Sequence, residues 1–252
     1  MTWKQVFTSS VGMKLTMALT GISLILFLVV HAGLNACIWA NDNGEMFNKA
    51  AHFMGSTVVI RILEVGLFVF LFSHIIQGLV LEGYNRSKRG SVGYAVSYGN
   101  KGSKWYSRSM GLLGTLLLLF LIMHLIHFWV PSRFTGLDAV TIDGKPHHNL
   151  FKEMVVVFTH PQYGLYIVIL YVLGCISLGY HLAHGFQSAF RTMGVSNKRY
   201  QQMLISLGYG YSVIITLAFA AMPITIYLGV VKFTEPTALN SIIETFKTIA
   251  IC

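Results

Sequence analysis

The residues best equipped for chemistry in this chain are histidines set in apolar sequence. His31 lies in LILFLVVHAGL, His74 in LFVFLFSHIIQGL, His124 and His127 in LLLLFLIMHLIHFW, and His181 with His184 in GCISLGYHLAHGF. Hydrocarbon offers an imidazole no hydrogen-bond partner, so an ionisable residue within a membrane span is a functional-site candidate by default. A single such residue is readily explained by a bond to a neighbouring helix. Four stretches that each carry one read as a set of ligands, and neutral imidazole is the commonest protein ligand for metals.

The surrounding sequence supplies the elements that must hold these ligands. The chain has 252 residues, 54% of them hydrophobic and only 11% charged, which is too apolar for an ordinary soluble domain. A bilayer core requires about 20 apolar residues per helix. Spans are expected at 13–38, 58–82, 109–130, 163–190 and 204–230, giving one all-α transmembrane bundle over 1–252. The leading MTWKQVFTSSVGMK is polar and the first apolar stretch is longer than a signal h-region, so that span is expected to remain in the mature protein. The segment from Thr234 to Cys252 is expected to form a short surface helix.

Charge predicts the orientation. With the N-terminus in the cytoplasm, the inside segments hold Lys4, Lys14, Arg86, Lys88, Arg89, Lys101, Lys104, Arg108, Arg191, Lys198 and Arg199, against Glu82 alone. Asp42, Glu45, Glu64, Asp138, Asp143, Glu153, Glu235 and Glu244 fall outside. This positive-inside pattern makes the net charge of +9 a record of topology, not a nucleic-acid footprint. The same basic loops could dock a cytoplasmic partner. Cys37, Cys175 and Cys252 have no metal-binding spacing, which excludes an iron–sulfur cluster built by this chain alone. No dinucleotide fingerprint and no P-loop is present. The loops at 84–108, 131–162 and 191–203 are too short for a second domain.

At about 1.5 Å of rise per residue, the histidines sort by depth. Spans one and three run outward and carry His31 and His124 toward the outside. Spans two and four run inward and carry His74, His181 and His184 toward the cytoplasm. Two layers, each drawn from two helices, are what two six-coordinate haems require, with imidazoles approaching each iron from opposite faces. The absence of a C-x-x-C-H motif makes these b-type, held without thioethers. Gly21, Gly33, Gly66, Gly78, Gly111, Gly114, Gly174, Gly179 and Gly185 would leave room beside a flat macrocycle or simply let helices pack closely.

Segments in all five spans carry a family resemblance. SSVGMKLTMALTGISLILFLVVH, FNKAAHFM, IRILEV, FLFSHIIQGLVL, SRSMGLLGTLLLLFLIMHLIHFW and, most specifically, YHLAHGFQSAFRTMG resemble the single-polypeptide, dihaem cytochrome b anchor of succinate dehydrogenase and fumarate reductase. The resemblance implies axial ligands at His31 and His124 for a distal haem, and at His74 and His184 for a proximal one. It implies a flavoprotein and an iron–sulfur subunit on the cytoplasmic face, a quinone substrate with menaquinone the expected species, and a bacterial inner-membrane location. Membership of the respiratory chain and tricarboxylic acid cycle, and a dimer of the whole complex, are further expectations. The chain alone would have no succinate chemistry.

Two positions stay open at this level. Depth favours His124 over His127, which then sits near a propionate or the quinone. In span four, depth slightly prefers His181, whereas the His-Gly pair followed by Arg191 picks His184. His52, Arg61 and Glu64 gather at the outer end of span two as quinone-site candidates, with Arg61 also suited to a distal propionate and with an i,i+3 ion pair as the plainer account of Arg61 and Glu64. Lys104 and Arg108 are comparable candidates for the proximal propionates. The alternative function is the dihaem cytochrome b of a hydrogenase or formate dehydrogenase. A cofactor-free histidine-lined transporter lacks the centrally broken spans of such proteins, although Pro223 is expected to interrupt span five.

Overall fold

The computed structural model describes residues 9–89, 104–195 and 197–234. The expected C-terminal surface helix, and basic residues such as Lys4 and Lys101, lie outside the described residues. Five helices are long and apolar enough to cross a membrane. In chain order they are α1 (Ser10–Asn35), α3 (Val58–Arg89), α5 (Met110–His124), α7 (Gly164–Thr192) and α8 (Lys198–Tyr227). Shorter helices α2 (Glu45–Ser56), α4 (Trp105–Arg108) and α6 (Leu150–Phe158) connect them. The expected spans are all present, with ends displaced by several residues. α3 continues through the polar stretch after Glu82, and α8 begins earlier because the side chain of Asn197 caps it by accepting from the Arg199 amide (2.9 Å).

α7 is the central element. It packs most extensively on α8 and also contacts α1 and α5, while α1 pairs with α3. The helix that contributes least buried surface is α3, whose most apolar window has no buried residue. Pro223 does not interrupt α8, contrary to expectation: it lies inside a helix that runs on to Tyr227. Pro131 does alter its helix. Since proline cannot donate a backbone hydrogen bond, α5 leaves α geometry in this region and ends in two π-helical turns, Leu125–Trp129 and Pro131–Thr135.

The 131–162 connection is more than a loop. It folds into the second of those π turns, an antiparallel hairpin of β1 (Ala139–Ile142) and β2 (Lys145–His148), and α6. Asp143 and Gly144 turn the hairpin with φ of 51° and 70°, the left-handed pair that such a two-residue loop demands. Lys49 of α2 clips this turn by pairing with Asp143 (2.7 Å) and Glu45 (2.8 Å), and its ammonium holds the Asp143 carboxyl below the usual range.

Together these pieces cap one end of the bundle. Phe47, Phe151, Phe158, Tyr171, Met222 and Ile226 share one apolar cluster there. Two buried asparagines lock it: Asn48 donates to Asn149 Oδ1 (3.0 Å) and accepts from the Phe151 amide (3.1 Å), while Asn149 caps α6 through the Lys152 amide (3.0 Å). Gly44, at φ 85°, lies so close to the Phe151 ring that a Cβ would collide with it. Replacing Asn48 with Ala strands the Phe151 amide in a dry core, a loss of about 1–3 kcal/mol. The expected result is a lower thermal midpoint of the purified protein in detergent, and an unchanged midpoint would show that the asparagine pair does not secure the cap.

Candidate functional site

The bundle brings the span histidines together as two facing pairs. Near the cap, His31 of α1 and His124 of α5 have ring centroids 5.8 Å apart with perpendicular planes. Toward the opposite end, His74 of α3 and His181 of α7 have centroids 6.1 Å apart, inclined at 66°. The two depth layers expected from sequence are therefore two side-chain pairs. Thr20 touches His74, and His31 lies eleven residues further along α1, so the pairs are separated by about 16 Å along the helix axis.

Each pair has the same polar asymmetry. His74 Nδ1 lies 3.2 Å from Thr20 Oγ1. That hydroxyl spends its own proton on the Thr16 carbonyl (2.8 Å), so it accepts from His74 Nδ1–H and leaves the Nε2 lone pair free. His31 has Asn35 as its neighbour: the Asn35 amide donates to the His31 carbonyl at 2.8 Å, with Nδ1 at 3.4 Å. Their partners His124 and His181 each bury an Nδ1 without a hydrogen-bond partner. Unpaired buried polar atoms are rare in folded proteins, and Gln77 Oε1 and His147 Nδ1 are two others among the described residues.

The chemistry of the donors fits haem better than a bare ion. Among the described residues no group of three or more His, Cys, Asp or Glu is placed to hold a metal ion. A bare zinc-like ion takes four ligands, whereas a porphyrin supplies four nitrogens itself and asks the protein only for axial ligands. One metal bound by two imidazole nitrogens at about 2 Å each spaces the ring centroids by about 6 Å, close to both observed separations. Gly21 faces His74, with its Cβ position 3.6 Å from the ring. Gly111, Gly174 and Gly179 answer to the plainer expectation, since a methyl there would collide with Glu82, Phe120 and Thr216 across helix contacts.

The ring that meets His74 is that of His181, while His184, the ligand that the motif implies, lies three residues further along α7. Three residues of α7, a little less than one turn, separate the two. His127 is engaged elsewhere: its Nδ1 lies 3.0 Å from the Tyr171 hydroxyl, and the two rings stack nearly parallel.

At the cap end of α3, Glu64 is the hub of a polar cluster. It accepts from Trp129 Nε1 (2.8 Å) and from Arg133 through Nε and Nη2 (3.1 Å each), with Arg61 at 3.7 Å. Arg61 commits its Nε to the Gly55 carbonyl (2.7 Å). The expected Arg61–Glu64 pair is thus the looser part of an assembly whose main members, Trp129 and Arg133, went unread in the sequence. An aromatic and a base at a span end are the ordinary signature of a membrane interface, which hides a more specific role. His52 turns to the hairpin, its ring 4.2 Å from that of His147, whose imidazole burial and His52 keep less basic than usual.

At the other end, Lys104 donates to Tyr209 (2.6 Å), which also bonds Tyr106, and these hydroxyls hold the ammonium above its ordinary range. Arg108 closes the adjoining short helix α4. Comparison with family models, curated proteins and solved structures gives no match to this chain. Replacing Thr20 with Val keeps the side-chain shape but removes the acceptor that orients His74. The expected outcome is roughly tenfold weaker occupancy at the His74–His181 pair with the His31–His124 pair unaffected, read by haem titration of the purified protein.

Proposed function

We propose that this chain is the dihaem cytochrome b anchor of a bacterial succinate:quinone oxidoreductase. The observation that carries the reading is the pairing of four intramembrane imidazoles from four spans into two sets at different depths. His31 with His124, and His74 with His181, would hold one b-type haem each. Bound there, the haems would supply one-electron transfer between the two sides of the bundle. The chain's own work is to hold these imidazoles face to face, with Thr20 fixing the tautomer of His74, and to present two different ends. The end bearing Lys14, Arg86, Lys88, Arg108, Arg191 and Lys198 faces the cytoplasm in this reading and receives the iron–sulfur subunit with its flavoprotein. The capped end, with Glu64 and Arg61, takes the quinone. The link to succinate rests on the resemblance of the YHLAHGFQSAFRTMG segment and its companions in the other spans.

Pyridine haemochrome analysis of the purified chain should find about two haems per polypeptide, and one or none would overturn the dihaem assignment. His74→Ala and His181→Ala should each remove one haem, His31→Ala and His124→Ala the other, while His184→Ala should retain both. Loss of low-spin haem in His184→Ala with retention in His181→Ala would restore the motif-based ligand.

Partner identity is checked separately. Purification from native membranes should bring down a flavoprotein and an iron–sulfur protein with succinate–quinone activity. The soluble pair without the anchor should still reduce dyes with succinate but not quinone. Co-purification of a hydrogenase or formate dehydrogenase instead would move the chain to that class.

A further inference from the structure

The Glu64 cluster is built more tightly than an interfacial ion pair needs. A carboxylate offers about four acceptor positions. Oε1 takes Trp129 Nε1 and Arg133 Nε, and Oε2 takes Arg133 Nη2. The fourth position, on Oε2, faces only Arg61 Nη1 at 3.7 Å, beyond hydrogen-bond range. Arg61 is itself steered by its bond to Gly55, and Gly55 also lies against Arg133, whose Nη1 is 3.2 Å from the glycine's Cβ position. An acceptor and a cationic donor therefore sit side by side, matched to one oxygen that both donates and accepts. A phenolic hydroxyl is such a group.

The cluster has aromatic neighbours. Phe68, one turn after Glu64 on α3, lies 5.0 Å from the Trp129 ring, and Phe134 lies 5.4 Å from it. Phe134 is 73% exposed, so this aromatic edge opens outward where a membrane-dissolved molecule arrives. Trp129 and Arg133 come from the two successive π-helical turns at the end of α5, and departures of this kind recur at functional sites.

We propose that Trp129 and Arg133 are positioning residues that hold the Glu64 carboxylate, with Arg61 beside it, as the receptor for a quinol hydroxyl. This deepens the reading of the capped end as the quinone site and rests on it. Trp129 and Arg133 act through Glu64 and need not touch the ligand. A tether that merely fastens α3 to α5 would affect assembly and leave ligand affinity in the assembled protein alone.

The test uses the intact complex in membranes, with menadiol kept reduced under anaerobic conditions as the probe and haem content and succinate–dye activity as controls. Trp129→Phe, which keeps the ring and removes one N–H, should raise the menadiol KM and equilibrium Kd by about tenfold with kcat little changed. Arg133→Met should do more, and Arg133→Lys should recover part of the loss. Glu64→Gln combined with Arg133→Met should be no worse than Glu64→Gln alone, because residues acting through one group are not additive. Unchanged affinity in Trp129→Phe and Arg133→Met, or additive losses in the double variant, overturns the positioning role. Wild-type affinity in Glu64→Gln also overturns it and moves the quinone site elsewhere. Absent haem or succinate–dye activity in the unsubstituted complex sinks the broader functional reading instead.

Discussion

A neutral imidazole carries one donor and one acceptor, and a lipid interior offers it neither. Everything else in this bundle is arranged around where those needs are met. His74 finds Thr20, whose hydroxyl is already turned toward the backbone, and His31 Nδ1 has the Asn35 amide at 3.4 Å, a group that donates first to the His31 carbonyl. His124 and His181 keep a ring nitrogen buried and unpaired. Leaving such atoms unpaired costs free energy, on the order of 1–3 kcal/mol each, and the cost recurs at the same place in both pairs. The same lack recurs in both pairs, one ring in each having no polar partner at its Nδ1.

The two ends of the bundle solve different problems. The capped end is covered by α2, the hairpin and α6, and it is locked by a buried asparagine pair that spans more than a hundred residues of sequence. That rigidity places α2 beside the ends of α3 and α5, so that Gly55 can steer one arginine and lie against the other. The opposite end has no comparable cover among the described residues. It is organised instead by Lys104, Tyr106 and Tyr209 and by the Arg86–Glu82 pair (2.6 Å), with basic side chains left on its surface.

Much of this was legible before any coordinates. Hydrophobic runs of membrane length are a one-dimensional signal, and the five spans follow from them. Depth along a span is also one-dimensional, so the sorting of His31 with His124 and of His74 with span four needed only a residue count. The Asp143-Gly144 pair is a two-residue hairpin signal, set within a 131–162 stretch that reads first as a polar connection.

The choice between His181 and His184 was different in kind. They differ by three residues, less than one helical turn, and both lie at nearly the same depth, so only the rotation of α7 against α3 decides which ring meets His74. The same holds for Trp129 and Arg133, whose approach to Glu64 depends on π-helical turns that alter the rotation per residue. The sequence by itself determined which helices are long and apolar enough to cross a membrane, in which order they come, and at what height each histidine sits, because hydrophobic length and a constant rise per residue settle those. The tertiary structure decided which side chains face one another, because azimuth is set by helix packing and local winding, and neither is written in any single segment.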